Sequence, residues 1–104
     1  MELIKMNDLY VRETGKLCDA LTRSNIAYEV YHAVSNHGFI IFFPSKENRK
    51  GDLILHDYSY GHEMGLFEGY AAMSKNEDDV CVFDTIEEIV EYAKENGFTK
   101  EVDT

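Results

Sequence analysis

The unbroken apolar run Phe39-Ile40-Ile41-Phe42-Phe43 constrains this chain more than any other feature. It is far too short for the ~20 apolar residues of a membrane span, and its aromatic and β-branched composition is that of a strand. Turn formers precede it (Ser35-Asn36-His37-Gly38) and Pro44 follows it at once. Before the turn, Tyr28, Val30, His32 and Val34 alternate with Ala27, Glu29, Tyr31 and Ala33, which is strand spacing and predicts a hairpin.

Further strands are predicted at 52–58, 66–73 and 80–83, separated by the polar turn 45–51, the glycine-containing loop 59–65 and the charged turn 74–79. Helices are predicted on either side of these strands. The first spans 7–24, with Leu9 or Tyr10, Leu17, Ala20 and Leu21 approximating one face, Gly15 weakening it, and Asn25 as its stop. The second begins at a capping box, Thr85 with Glu88, preceded by Asp84. It ends before Gly97 and carries Ile86, Ile89, Val90 and Ala93 on one side. Helix, antiparallel strands, helix is the pattern of an α+β domain: an antiparallel sheet of four to five strands with an N-terminal and a C-terminal helix packed on one face. A length of 104 residues fits one such domain, 1–104.

Charge is unevenly distributed. Residues 1–50 hold six acids and seven bases, whereas 51–104 hold fourteen acids and three bases. Binding to phosphate surfaces requires Lys and Arg, so this excess argues against nucleic acid and anionic membrane and favours a basic protein partner. Cys18 and Cys81 sit in apolar settings and read as small buried side chains rather than a disulfide. The first eight residues lack the basic and apolar regions of a signal peptide, and no apolar stretch spans a membrane, which predicts a cytoplasmic protein.

Candidate chemistry centres on His56, Asp57, His62 and Glu63. Neighbours on a strand point to opposite faces, and His62-Glu63 lacks the His-Glu-x-x-His spacing that brings two imidazoles to one metal. These residues therefore read as loop-packing or surface groups, with a small metal-dependent or hydrolytic enzyme as the alternative. His32 and His37 read as a strand and a turn residue. Neither cysteine has an activating base beside it, Ser59 reads as a turn serine, and Gly61, Gly65 and Gly69 fit no phosphate-binding pattern but suit a bulge and tight turns. Phe39, Phe42, Phe43, Phe67 and Phe83 are expected in the core rather than as a base-stacking platform, since few cations accompany them. No catalytic residue, metal ligand or cofactor is expected.

The last helix offers a different feature. At 100° per residue, Asp84, Glu87, Glu88, Glu91 and Glu95 gather on the side opposite its apolar stripe, with Asp78 and Asp79 in the turn before. Early acids suit the helix dipole, but only Lys94 offers a countercharge within the helix, and like charges at i, i+4 each cost a few tenths of a kcal/mol. A surface that accumulates this cost is the candidate partner-binding face.

The segment Tyr60-Gly61-His62-Glu63-Met64-Gly65-Leu66-Phe67-Glu68, followed later by Asp84-Thr85, resembles a pattern in small acidic proteins of bacteriophages and prophages, where a Gly-x-Glu-x-Gly-Leu-aromatic-Glu turn enters a strand. The resemblance implies a mobile-element origin and carries no catalytic residue. By class, a small acidic phage protein is similar to anti-CRISPR and other counter-defence proteins, which implies an inhibitor of a host nucleic-acid-binding factor such as a CRISPR nuclease. A homodimeric accessory protein is a further alternative.

Overall fold

The computed structural model describes residues 8–33, 37–70 and 80–100. Helix α1 runs Asp8–Arg23, and Tyr10, Thr14, Leu17 and Leu21 fall at helical spacing on its buried side. Asn25 takes the left-handed conformation, φ 58°. Its N–H donates to Thr22 O (3.1 Å) and that of Ile26 donates to Leu21 O (3.0 Å), the paired bonds of a Schellman stop. Helix α2, Ile86–Glu95, ends in the same way. Gly97 (φ 75°) donates to Lys94 O and Phe98 to Ala93 O, at 3.1 and 2.9 Å.

The two exits are joined. Ile26 bridges Thr99 in antiparallel fashion, the Ala27 N–H donates to Phe98 O (2.8 Å), and the Lys100 N–H donates to Asn25 O (2.7 Å). The C-terminal ends of both helices are thereby tied to each other by backbone bonds.

Between the helices lie β1 (Glu29–His32), β2 (Gly38–Phe43), β3 (Gly51–His56), β4 (Glu68–Tyr70) and β5 (Val80–Val82), in spatial order β1-β2-β3-β4-β5 with every neighbouring pair antiparallel. Two predicted strands differ from the sequence reading at their described ends. The third stops at His56 because Ser59 folds the chain back on it, and the fourth begins only at Glu68. Residues 71–79, including the predicted turn with Asp78 and Asp79, lie outside the described residues.

Pleating sends Ile41, Phe43, Leu53 and Leu55 to the face on which both helices pack. Leu17 and Leu21 of α1 meet them with Ile89, Tyr92 and Ala93 of α2. Phe98 stacks flat on Phe43, with centroids 5.2 Å apart, and Tyr92 meets both rings edge-on. Phe42 points the other way, opposite Asp52 and Glu29 in register. It is buried nonetheless, because the Tyr31 ring and the Arg49 guanidinium cover it. Phe39 is half-buried against the core. Among the described residues, no helix is long and apolar enough to cross a membrane.

Candidate functional site

The acidic residues of α2 are positioned by the same rule that buries its other side. Thr85 Oγ1 accepts from the Glu88 N–H (3.2 Å) and starts the helix, which then turns Ile89, Tyr92 and Ala93 inward. Asp84, Glu87, Glu88, Glu91 and Glu95 are all exposed. Two of them differ from a simple stripe. Asp84 precedes the helix, and Glu88 Oε2 reaches back to accept from the Asp84 N–H (3.1 Å), so its carboxylate completes the cap.

Beside this face runs a groove of about 370 Å³, floored by Cys81, Phe83 and Tyr92 and walled by Glu87, Glu88, Glu91 and Glu95. Glu87 and Glu91 also border a second groove, about 350 Å³, between the two helices. Arg23 reaches into that second groove but is paired with Asp19. The acidic side thus combines carboxylates with an apolar floor, an arrangement suited to cationic side chains with aliphatic stems. Burial first, and then the charges of Glu88 and Asp84, push the Cys81 thiol pKa up; burial does the same for Cys18. Both shifts run opposite to those of reactive thiolates.

The histidine-rich region is brought together by contacts that sequence could not reveal. Tyr10 of α1, 52 residues earlier in the chain, places its hydroxyl 2.7 Å from His62 Nδ1, with the rings edge-on. His37 Nδ1 lies 2.9 Å from Asp57 Oδ2. His56 Nδ1 accepts from the Tyr58 N–H, and the Ser59 hydroxyl accepts from the His56 N–H while donating to His56 O. Ser59 is therefore the turn serine that its setting predicts. His62→Ala combined with Glu63→Ala is expected to leave the fold largely intact; the bond from His62 to Tyr10, which fastens loop 57–66 to α1, is the contact this double variant would lose. Among the described residues, no three His, Cys, Asp or Glu side chains converge to hold a metal ion.

The setting of Tyr10 beside this loop has a titration signature of its own. Burial, then hydrogen bonding and charge from Asp57 and charge from Glu63, push its hydroxyl from the ordinary 10 up to about 12. The folded chain keeps a proton that the unfolded chain loses near pH 10, so above that pH the unfolded state binds fewer protons. Stability is then lost as pH rises from about 10 to about 12, whereas below that window the contribution is fully present and independent of pH. Ultraviolet titration of tyrosinate should show a step near pH 12 that loses amplitude in Tyr10→Phe, Tyr92 being raised as well by burial and the charge of Asp52, at a stability cost of about 1 kcal/mol for the lost hydrogen bond. An unaltered late step in that variant would overturn the assignment.

No protein-family model, curated protein or solved structure matches this chain.

Proposed function

We propose that this chain is a non-enzymatic cytoplasmic binding protein that offers the acidic face of α2 to a basic protein surface, of the kind that nucleic-acid-binding proteins present to phosphates. The supporting observation is the groove in which Glu87, Glu91 and Glu95 stand exposed along an apolar floor. From Glu87 to Glu95 the helix rises ~12 Å, so four carboxylates come every ~4 Å on average, near the ~3.4 Å per phosphate along one DNA strand. A protein groove that holds a nucleic-acid strand can accept either. On this reading the chain acts as the phage counter-defence proteins it resembles do, by occupying the nucleic-acid site of a host factor such as a CRISPR nuclease.

The test is the triple variant Glu87→Lys, Glu91→Lys, Glu95→Lys, with Glu88 retained because it caps the helix. All three positions face solvent and Lys is a good helix former, so the fold should persist. Binding of wild type to a basic nucleic-acid-binding protein should weaken as salt rises, yield to competing DNA, and fall at least 100-fold in the variant. Equal affinity of the folded variant would make α2 an ordinary solvated helix.

A further inference from the structure

Loop 57–66 exposes apolar surface, with only one face of the Tyr58 ring set against His56, at 5.3 Å between centroids. Among the described residues, Tyr58, Met64 and Tyr60 are the most exposed large apolar side chains, at 90%, 74% and 69% of their full surface. A flexible loop would scatter such groups, but this backbone is fixed along its length. The Ser59 N–H donates to His56 O (3.0 Å), the Tyr60 N–H to Glu68 Oε2 (2.8 Å), the Gly65 N–H to His62 O (2.9 Å), and the Leu66 N–H to Gly61 O (3.0 Å). Gly61 and Gly65 both adopt positive φ, 82° and 72°, and bracket the 3-10 turn His62–Met64. A Cβ on Gly61 would come within 2.7 Å of Val82, and one on Gly65 within 2.8 Å of Glu13. The loop is thus seated on β5 at one glycine and on α1 at the other.

A rigid loop bearing two outward tyrosines presents contact area at low ordering cost, which is how tyrosines serve as binding anchors. Its charge narrows the partner. Residues 51–74 contain Asp52, Asp57, Glu63 and Glu68 and no Lys or Arg, so the aromatic faces are offered in a negative field. A planar cation meets both conditions. Guanidinium stacks on aromatic rings and pairs with carboxylates, whereas ammonium is a compact, strongly hydrated point charge. The loop also adjoins the acidic helix, because Gly65, Leu66 and Phe67 share a small cleft with Asp84, Thr85 and Ile86.

We propose that loop 57–66 is an arginine-reading element that selects arginine-rich segments of the basic partner through Tyr58 and Tyr60. This rests on the acidic-face reading of α2, which supplies attraction to cations of either type.

Fluorescence anisotropy with labelled deca-arginine and deca-lysine peptides tests it. Wild type should bind deca-arginine about fivefold to tenfold more tightly than deca-lysine. Tyr58→Ala with Tyr60→Ala should collapse that ratio to near one, and Tyr58→Phe with Tyr60→Phe should restore it, since the ring faces are kept. Circular dichroism checks that each variant is folded. Equal affinity of wild type for both peptides, or a preference that survives in the alanine variant, would overturn the loop assignment and leave the acidic face standing. Failure of wild type to bind either peptide would overturn both. Self-association that depends on Tyr58 and Tyr60 would assign the loop to contact between copies and also overturn the proposal.

Discussion

Ile89→Asp should leave the chain largely unfolded at room temperature. Ile89 is 1% exposed on the inner side of α2, in the cluster that includes Phe83 and Leu53. Shortening the side chain removes buried apolar atoms and opens a cavity, at about 2–5 kcal/mol for a large-to-small change. The new carboxylate has no cation waiting in that cluster, and burying it unpaired adds several kcal/mol more. Domains of this size hold roughly 5–15 kcal/mol in all, so the sum exceeds a large part of the reserve. Ile89→Val, the matched control, should cost about 0.5–1.5 kcal/mol. Urea titration followed by circular dichroism compares them, and an aspartate variant that melts with wild type would mean that α2 packs through another face.

Gly69→Val should be the second severe change, for a reason of space. Gly69 lies in β4 between Leu53 of β3 and Cys81 of β5. A Cβ there would stand 2.7 Å from Leu53 Cδ2 and 2.8 Å from the Asp52 carbonyl oxygen. The leucine can turn aside, but the carbonyl belongs to a strand paired on both sides and cannot. Overpacking of this kind costs about 1–3 kcal/mol or more, and splaying β3 from β4 also disturbs the core under Phe83. Gly15→Ala provides the contrast, since a Cβ at that exposed helical position meets nothing within 4 Å and should gain about 1 kcal/mol. If thermal melting ranks the two glycine variants the other way, the packing around Gly69 is wrongly assigned.

These glycines show where local sequence stops being informative. Gly61 and Gly65 do take left-handed turns, as tight turns next to bulky side chains suggest, but Gly69 is needed for close approach between strands, which depends on a neighbour sixteen residues away in register. Helix α2 was legible almost residue by residue because Thr85, Glu88 and Gly97 act through bonds within a few residues. Tyr92 and Phe98 escaped that reading. The first stands among glutamates and the second beyond the helix stop, and only the packed sheet gives their rings a place against Phe43. The acidic side was visible as a periodicity, whereas the groove beneath it required Cys81 and Phe83 from a different element. The Tyr10 to His62 bond had no sequence signal at all, since nothing local at either residue refers to the other.

The backbone ties between the two helix exits bear on the order in which the chain assembles. The sheet is a meander, so each strand can be added to the one before it through a short connection, with little loop entropy lost at any step. The helical layer obeys a different clock. The Ala27 N–H, at the threshold of β1, waits for a carbonyl at Phe98, and Asn25 O waits for Lys100. During synthesis at about 5–20 residues per second, the first helix therefore leaves the ribosome several seconds before its lock exists. Until then Leu17 and Leu21 have strands to cover but no α2 alongside them, and residues 98–100 close a structure whose first helix was made well before them.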